Sequence, residues 1–469
     1  MVRIAILVAV CATLGFCAFA RQNPNTAEPA TFRAGMVTPR VICDGKPDQS
    51  YALYLPSNYS PDRKWPIVYA FDPVARGAYP LERMKDAAER LGYIVVGSNN
   101  SRNGSWKVES EAAQAVFDDT RARLAIDQRR LYFAGFSGGA RVASAIAQRC
   151  KCAAGVLLNG AGFSTGMPPS RDSVFPVFAA VGVFDFNYGE IIQLQDQLAA
   201  QHFPHALLTF EGTHEWAPPA VMQEAFAWFR VIAIKQGLEP ADDAFITMQA
   251  ERSVERAKNL EQQGELFAAW RAYSQAAEEF DAFPAAASLK RAATFLESQK
   301  AVRDGSRHER QEIEEQSQLT QEIALGMSAM RDNGAARTDL RNDLERKIIA
   351  LRERSTHEKH AEKVRVLRRA LGGLLVQAIE SGGPPFDVRD FTLARDYFQL
   401  AAAADPGSVW ALQNLAAVQA QTGDPKAAFA SLRRAREQTK DRAAFSAWLA
   451  KEESFARLRQ EPQFRALLD

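Results

Sequence analysis

Apolar positions along this chain change rhythm once. Before about residue 240 they fall in short, nearly unbroken runs: SYALYL (50–55), PIVYAF (66–71), YIVVGS (93–98), LYFAG (131–135), AGVLLN (154–159), VFPVFAAV (174–181) and HALLTF (205–210). Runs of this length without polar alternation predict strands covered on both faces. Segments around 81–91, 109–125, 138–149, 188–201 and 217–236 carry helical spacing. Strand and helix in alternation predict an α/β domain over residues 37–240, a mostly parallel sheet with helices on both sides.

Beyond residue 240 the β-runs stop, and charged residues rise from roughly 44 in the first 240 positions to about 69 in the rest. Residues 241–469 therefore read as an all-α region. Within it Ala394, Phe398 and Ala401 recur thirty-four positions later as Ala428, Leu432 and Ala435, and the intervening helical stretch ends at Gly423-Asp424. Residues 259–280 repeat the layout with Gly264, Ala269, Tyr273 and Ala276. This resembles a tetratricopeptide (TPR) repeat, whose small residues let paired helices approach closely. A plain helical bundle with alanine at its crossing points is the alternative. The charged stretch 300–365 is expected to be helical, as a protruding hairpin. A TPR-like surface implies a protein partner bound through the helical region.

The first twenty residues stand apart: Met1-Val2-Arg3, an apolar run, then Ala18-Phe19-Ala20. This is the layout of a secretory signal peptide (1–20), followed by a linker (21–36). The expectation is an exported protein, periplasmic or secreted, with no integral membrane domain in the mature chain; an uncleaved anchor helix is the alternative. Export permits a disulfide among Cys43, Cys150 and Cys152. Cys43 with one of the other two is the expected pairing, because a bond between Cys150 and Cys152 would close a strained ring. Three cysteines without a clustered histidine do not make a zinc site, and no metal is expected. A formal net charge of +1 gives no reason to expect nucleic acid as a partner.

The chemistry concentrates in GFSGG. Ser137 lies between Gly135 and Gly139, after an apolar strand and before an Ala-rich helical pattern. That context is a nucleophile elbow, in which the hydroxyl stands above the sheet and a helix N-terminus faces a developing oxyanion. A serine hydroxyl needs a base. Of His202, His205 and His214, only His214 falls after a strand and before a helix, at the carboxyl end of the sheet. Asp185 lies just beyond the strand VFPVFAAV and completes the order Ser, Asp, His.

GFSGG, the DFNY after a late strand, and GTHEWAPP before the last helix of the domain together resemble an α/β-hydrolase. The likeness is to polyhydroxybutyrate-depolymerase-like esterases, feruloyl esterases and dienelactone-hydrolase relatives. The resemblance implies a serine hydrolase that cleaves a small-molecule or polymeric ester through an acyl-enzyme. Ser137 would be the nucleophile, His214 the base and Asp185 its orienting acid, with no cofactor. One departure stands out: where such enzymes carry His-Gly after the third strand, this chain has Phe71-Asp72-Pro73-Val74. The oxyanion donors expected are the N–H groups of Gly138 and Val74, with Asp72 held away by Arg76. The segment between Asn159 and Val174 is too short for a cap domain, so the site is expected to be open from above. Residues 98–106 should form its rim, with Trp106, Phe163, Phe184 and Trp216 as apolar wall. A serine peptidase on the same fold and a non-catalytic partner-binding protein are the competing readings.

Overall fold

The computed structural model describes residues 32–332, 334 and 336–468. The signal-peptide expectation, and most of the linker, lie outside the described residues.

Eight strands form one sheet: β1 Val37–Cys43, β2 Lys46–Tyr54, β3 Trp65–Phe71, β4 Ile94–Ser98, β5 Ile126–Phe136, β6 Ala153–Asn159, β7 Val177–Gly182 and β8 His205–Phe210. The order is β1-β2-β4-β3-β5-β6-β7-β8. β1 and β2 pair antiparallel, as do β2 and β4, and every later pairing is parallel. Five helices alternate with the strands: α1 Ala78–Leu91, α2 Trp106–Arg123, α3 Gly138–Cys150, α4 Tyr188–Ala200 and α5 Pro219–Lys235.

The period of two divides each strand between two cores. Ile67, Tyr69 and Phe71 of β3 pack with α2, α3 and α4, while Val68 and Ala70 pack with α1 and α5. All seven residues of β3 are buried, which is why the run is continuously apolar. This is an α/β-hydrolase fold, and its parallel strands bring their carboxyl ends to one edge.

Eleven α-helices follow among the described residues: α6 Asp243–Gln262, α7 Leu266–Glu279, α8 Ala286–Glu297, α9 Lys300–Met330, α10 Arg337–His357, α11 Ala361–Asp387, α12 Phe391–Ala404, α13 Val409–Gln421, α14 Pro425–Gln438, α15 Arg442–Lys451 and α16 Pro462–Leu468. The alanines singled out by spacing sit at helix crossings: Ala269, Ala276, Ala394, Ala401, Ala428 and Ala435 are all buried. Asp390, Asp424 and Asp441 each accept from an N–H in the first turn of α12, α14 and α15, so the same residue type caps three of these helices, while Ser408 caps α13. Ala227 and Val231 of α5 share a core with α6 and α7, so the helical region grows directly from the sheet domain. None of the described helices is long and apolar enough to cross a membrane.

Two expectations are corrected. Cys150 is joined to Cys152, and Cys43 is a free, buried thiol. Lys151 caps α3 in the left-handed conformation and turns the chain back, bringing the two Cα atoms to 5.1 Å. The stretch 300–365 does not protrude: α9 packs along α11 and against α4, where Ile313 meets Gly189.

Glu279 is a buried carboxyl in this region, only 9% exposed. Burial pushes it up to about 8 from an ordinary 4.5, with Arg256 and Lys235 opposing the rise and Glu224 adding to it. The folded chain thus keeps a proton that the unfolded chain loses above pH 4.5, so stability falls as pH rises from there toward 8 and then levels. Glu279→Gln should remove a slope of about 1.4 kcal/mol per pH unit over that window. Urea unfolding at pH 5, 6.5 and 8 tests this, and parallel slopes for the two proteins would refute it.

Candidate active site

β5 ends at Phe136 and α3 begins at Gly138. The single residue between them, Ser137, has φ 53° and ψ −123°, a conformation that non-glycine residues rarely adopt. The turn is this sharp because two glycines allow it. A Cβ on Gly135 would collide with the carbonyl of Gly139, and one on Gly139 with the carbonyl of Phe71. The Ser137 N–H donates to Asn159 O at 2.9 Å, which ties the elbow to β6. Its side chain lines a pocket of about 450 Å³ together with Gly138, Asn103, Trp106 and Phe186.

Asp185 and His214, beyond the carboxyl ends of β7 and β8, come together. His214 Nδ1 lies 2.9 and 3.0 Å from the two Asp185 oxygens. Asp185 is fully buried, and burial raises its carboxyl above the ordinary range despite bonds from His214 and the Asn187 N–H that favour the charged form. The imidazole is sandwiched between Phe136 (centroids 4.6 Å apart) and Phe186 (4.2 Å), which places it beside the elbow. Ser137 Oγ has no hydrogen-bond partner among the described residues. His202 is exposed, while His205 Nδ1 faces Phe203 O at the opposite end of β8.

Sequence reasoning missed Gly160. It has φ +60°, and a Cβ there would approach Asp185 Oδ2 to 2.8 Å and His214 Nδ1 to 3.2 Å. Its carbonyl accepts from Asn187 Nδ2 at 2.7 Å, and the Asn187 N–H donates to Asp185 Oδ1 at 2.8 Å. The Asn159-Gly160 pair at a strand end was the available signal.

The Val74 N–H does not remain free for an oxyanion: it donates to Asp72 Oδ1 at 3.0 Å. Asp72 is buried, and it also accepts from Arg76 Nε (3.0 Å), Arg76 Nη2 (2.8 Å) and Trp216 Nε1 (2.9 Å). The expected pairing with Arg76 is therefore present, and the same carboxylate consumes the donor proposed beside it. Gly138 opens α3, where the first N–H groups have no partner within the helix.

The expected apolar wall is only partly in place. Trp106 lines the pocket, but Phe163 stacks on Phe175 in the core and Trp216 is buried against Phe136. Phe184 lies under Arg368 instead. Val376 and Glu380 of α11 also form part of the pocket's lining, so the helical region contributes to its wall. Glu109, also in the lining, is pushed up to about 7 by burial. Arg141, the lining cation, is committed to Glu190 and the Phe163 carbonyl.

No family model matches the sequence, and no curated protein does. Solved structures do match. A fluorophosphonate-binding serine hydrolase F of Staphylococcus aureus aligns at 13% identity over 39% of this chain and 92% of its own, with a TM-score of 0.32. A ferulic acid esterase aligns at 16% over 42% and 98%, TM-score 0.35. Est1E from Butyrivibrio proteoclasticus aligns at 14% over 42% and 100%, TM-score 0.34.

Proposed function

We propose that this chain is an exported serine hydrolase that cleaves carboxylic esters through an acyl-enzyme. The observation that supports it most is the left-handed Ser137 at a strand-to-helix turn, opening on a pocket beside half-buried His214 paired with buried Asp185. Ser137 Oγ attacks the ester carbonyl carbon and its proton passes to His214 Nε2. Asp185 holds Nδ1 and stabilises the imidazolium. The oxyanion takes the Gly138 N–H as one donor. With Val74 engaged, we assign the second donor to the carboxamide of Asn103, which packs against Gly138. Collapse of the intermediate expels the alcohol, which takes the proton from His214, and water then releases the acid by the same steps.

The helix pairs around α12 to α14 support a TPR-like reading of the last part of the chain, and the apolar first twenty residues support export.

A fluorophosphonate probe should label the protein at Ser137, located by peptide mass, with p-nitrophenyl butyrate turnover lost in step. Labelling at another serine, or none, would overturn the reading. Faster turnover of peptide anilides than of esters would move it to a peptidase.

A further inference from the structure

Asp185 sits in the loop between β7 and α4, and that loop is held from outside the sheet domain. Arg369 of α11 is 1% exposed, and its Nε donates to the Val183 carbonyl at 2.7 Å. Its guanidinium lies 3.7 Å over the Tyr188 ring, and Nη1 reaches Glu312 of α9 at 3.3 Å. Burial disfavours this charge, with Tyr188 and Glu312 offsetting the cost. Tyr188 Oη donates to Glu309 of α9 at 2.7 Å, and Arg271 clamps the same carboxylate through two bonds. Gln316 Nε2 donates to the Phe186 carbonyl at 2.8 Å. The carbonyls on either side of Asp185 are thus both satisfied by helices that lie more than a hundred residues away in sequence. Both carbonyls lie on half-buried residues, and these two long-range bonds tie the path of the loop to α9 and α11.

The same face of α11 continues into the pocket. Arg369, Gly373, Val376 and Glu380 follow one another at spacings of four, three and four, one stripe of a helix. Phe186, whose ring packs on His214, lies against Gly372 and Gly373 on this stripe; a Cβ on Gly373 would stand 3.4 Å from Phe186 Cβ. One turn further, Val376 and Glu380 line the pocket of Ser137. With Arg141 neutralised by Glu190, Glu380 and Glu109 are the lining charges without an ionic partner among the described residues.

We propose that α9 and α11 are a working part of the active site, with Arg369 positioning the loop that carries Asp185 and Glu380 selecting esters with cationic over anionic substituents. The proposal rests on the hydrolase reading of Ser137.

The test begins with wild-type labelling by a fluorophosphonate and turnover of p-nitrophenyl butyrate. Absence of both would overturn that reading and the proposal with it. With wild-type activity in hand, Arg369→Ala should lower kcat about tenfold or more, leave KM within about threefold, and shift the acid limb of the kcat/KM–pH profile, which reports the pair it positions. Arg369→Lys should recover part of the loss. Gln316→Ala, which removes one bond to the same loop, should move the profile in the same direction and serves where Arg369→Ala does not fold. A lower Tm with unchanged kcat and pH profile would overturn the positioning role while leaving the hydrolase reading intact. Glu380→Gln should raise KM for a choline ester and lower it for a succinate monoester, each by about five- to tenfold relative to a neutral ester measured on the same variant. Equal effects on all three would refute the charge selection.

Discussion

Ser137→Ala and His214→Ala should each lower kcat for a small ester by roughly 10⁵- to 10⁶-fold, and the double variant should fall no further. In the proposed mechanism the nucleophile and base act as one unit: without the imidazole the hydroxyl keeps its proton, and without the hydroxyl the imidazole has nothing to activate. The substitutions are mild for the fold. Alanine at position 137 keeps the Cβ that already tolerates φ 53°, and no hydrogen bond of the Ser137 side chain is lost. His214 is a partly exposed loop residue whose removal leaves the sheet untouched. Steady-state kinetics on both single variants and the double, with thermal melts as a check on folding, decides the matter. Losses that multiply would show that two independent routes operate, and turnover persisting in Ser137→Ala would move the nucleophile elsewhere.

How far the site could be read from sequence depended on how local its causes are. β3, β4 and β6 were legible because both their faces are covered, so burial alone dictates an apolar run. β1 was not, because it is an edge strand whose Pro39 and Arg40 are exposed and break the pattern. Ser137, Asp185 and His214 could be singled out as candidates because each follows a legible strand, and the fold brings Asp185 and His214 into contact. The fate of the Val74 N–H depended on a turn closed by Asp72, two residues away, and motif position gave no sign of it. The brace by α11 was hidden for a different reason. Arg369 on an amphipathic helix reads as a surface charge, and its contact with Val183 spans 186 positions of sequence. One signal was present: Gly372-Gly373 in mid-helix costs about 1 kcal/mol per residue against alanine, which singles the position out. Only the fold reveals that Phe186 packs there, at ordinary contact distance from any added Cβ.

Asp185→Asn should cost about 10⁴-fold in kcat at neutral pH while leaving the protein at least as stable as before. The local hydrogen bonds determine the direction. The Asn187 N–H donates to Asp185 Oδ1 at 2.8 Å, so an asparagine would turn its carbonyl oxygen to that donor and put its NH₂ in the place of Oδ2. His214 Nδ1, 2.9 Å from Oδ1 and 3.0 Å from Oδ2, would then face the amide's NH₂ as well as its oxygen, and the NH₂ favours the tautomer in which Nδ1 accepts. In that tautomer the imidazole proton sits on Nε2, the nitrogen that must take the proton of Ser137, and the lost carboxylate charge no longer stabilises the imidazolium, so the base is weakened with every atom in place. Stability should not follow activity, because burial raises the Asp185 carboxyl above its ordinary range, and a neutral amide of the same shape removes that cost. A fall in Tm that accounts for the lost activity would reduce Asp185 to a structural residue. Unchanged Tm with fluorophosphonate labelling slowed in proportion to kcat would show that the carboxylate works by setting the tautomer of His214.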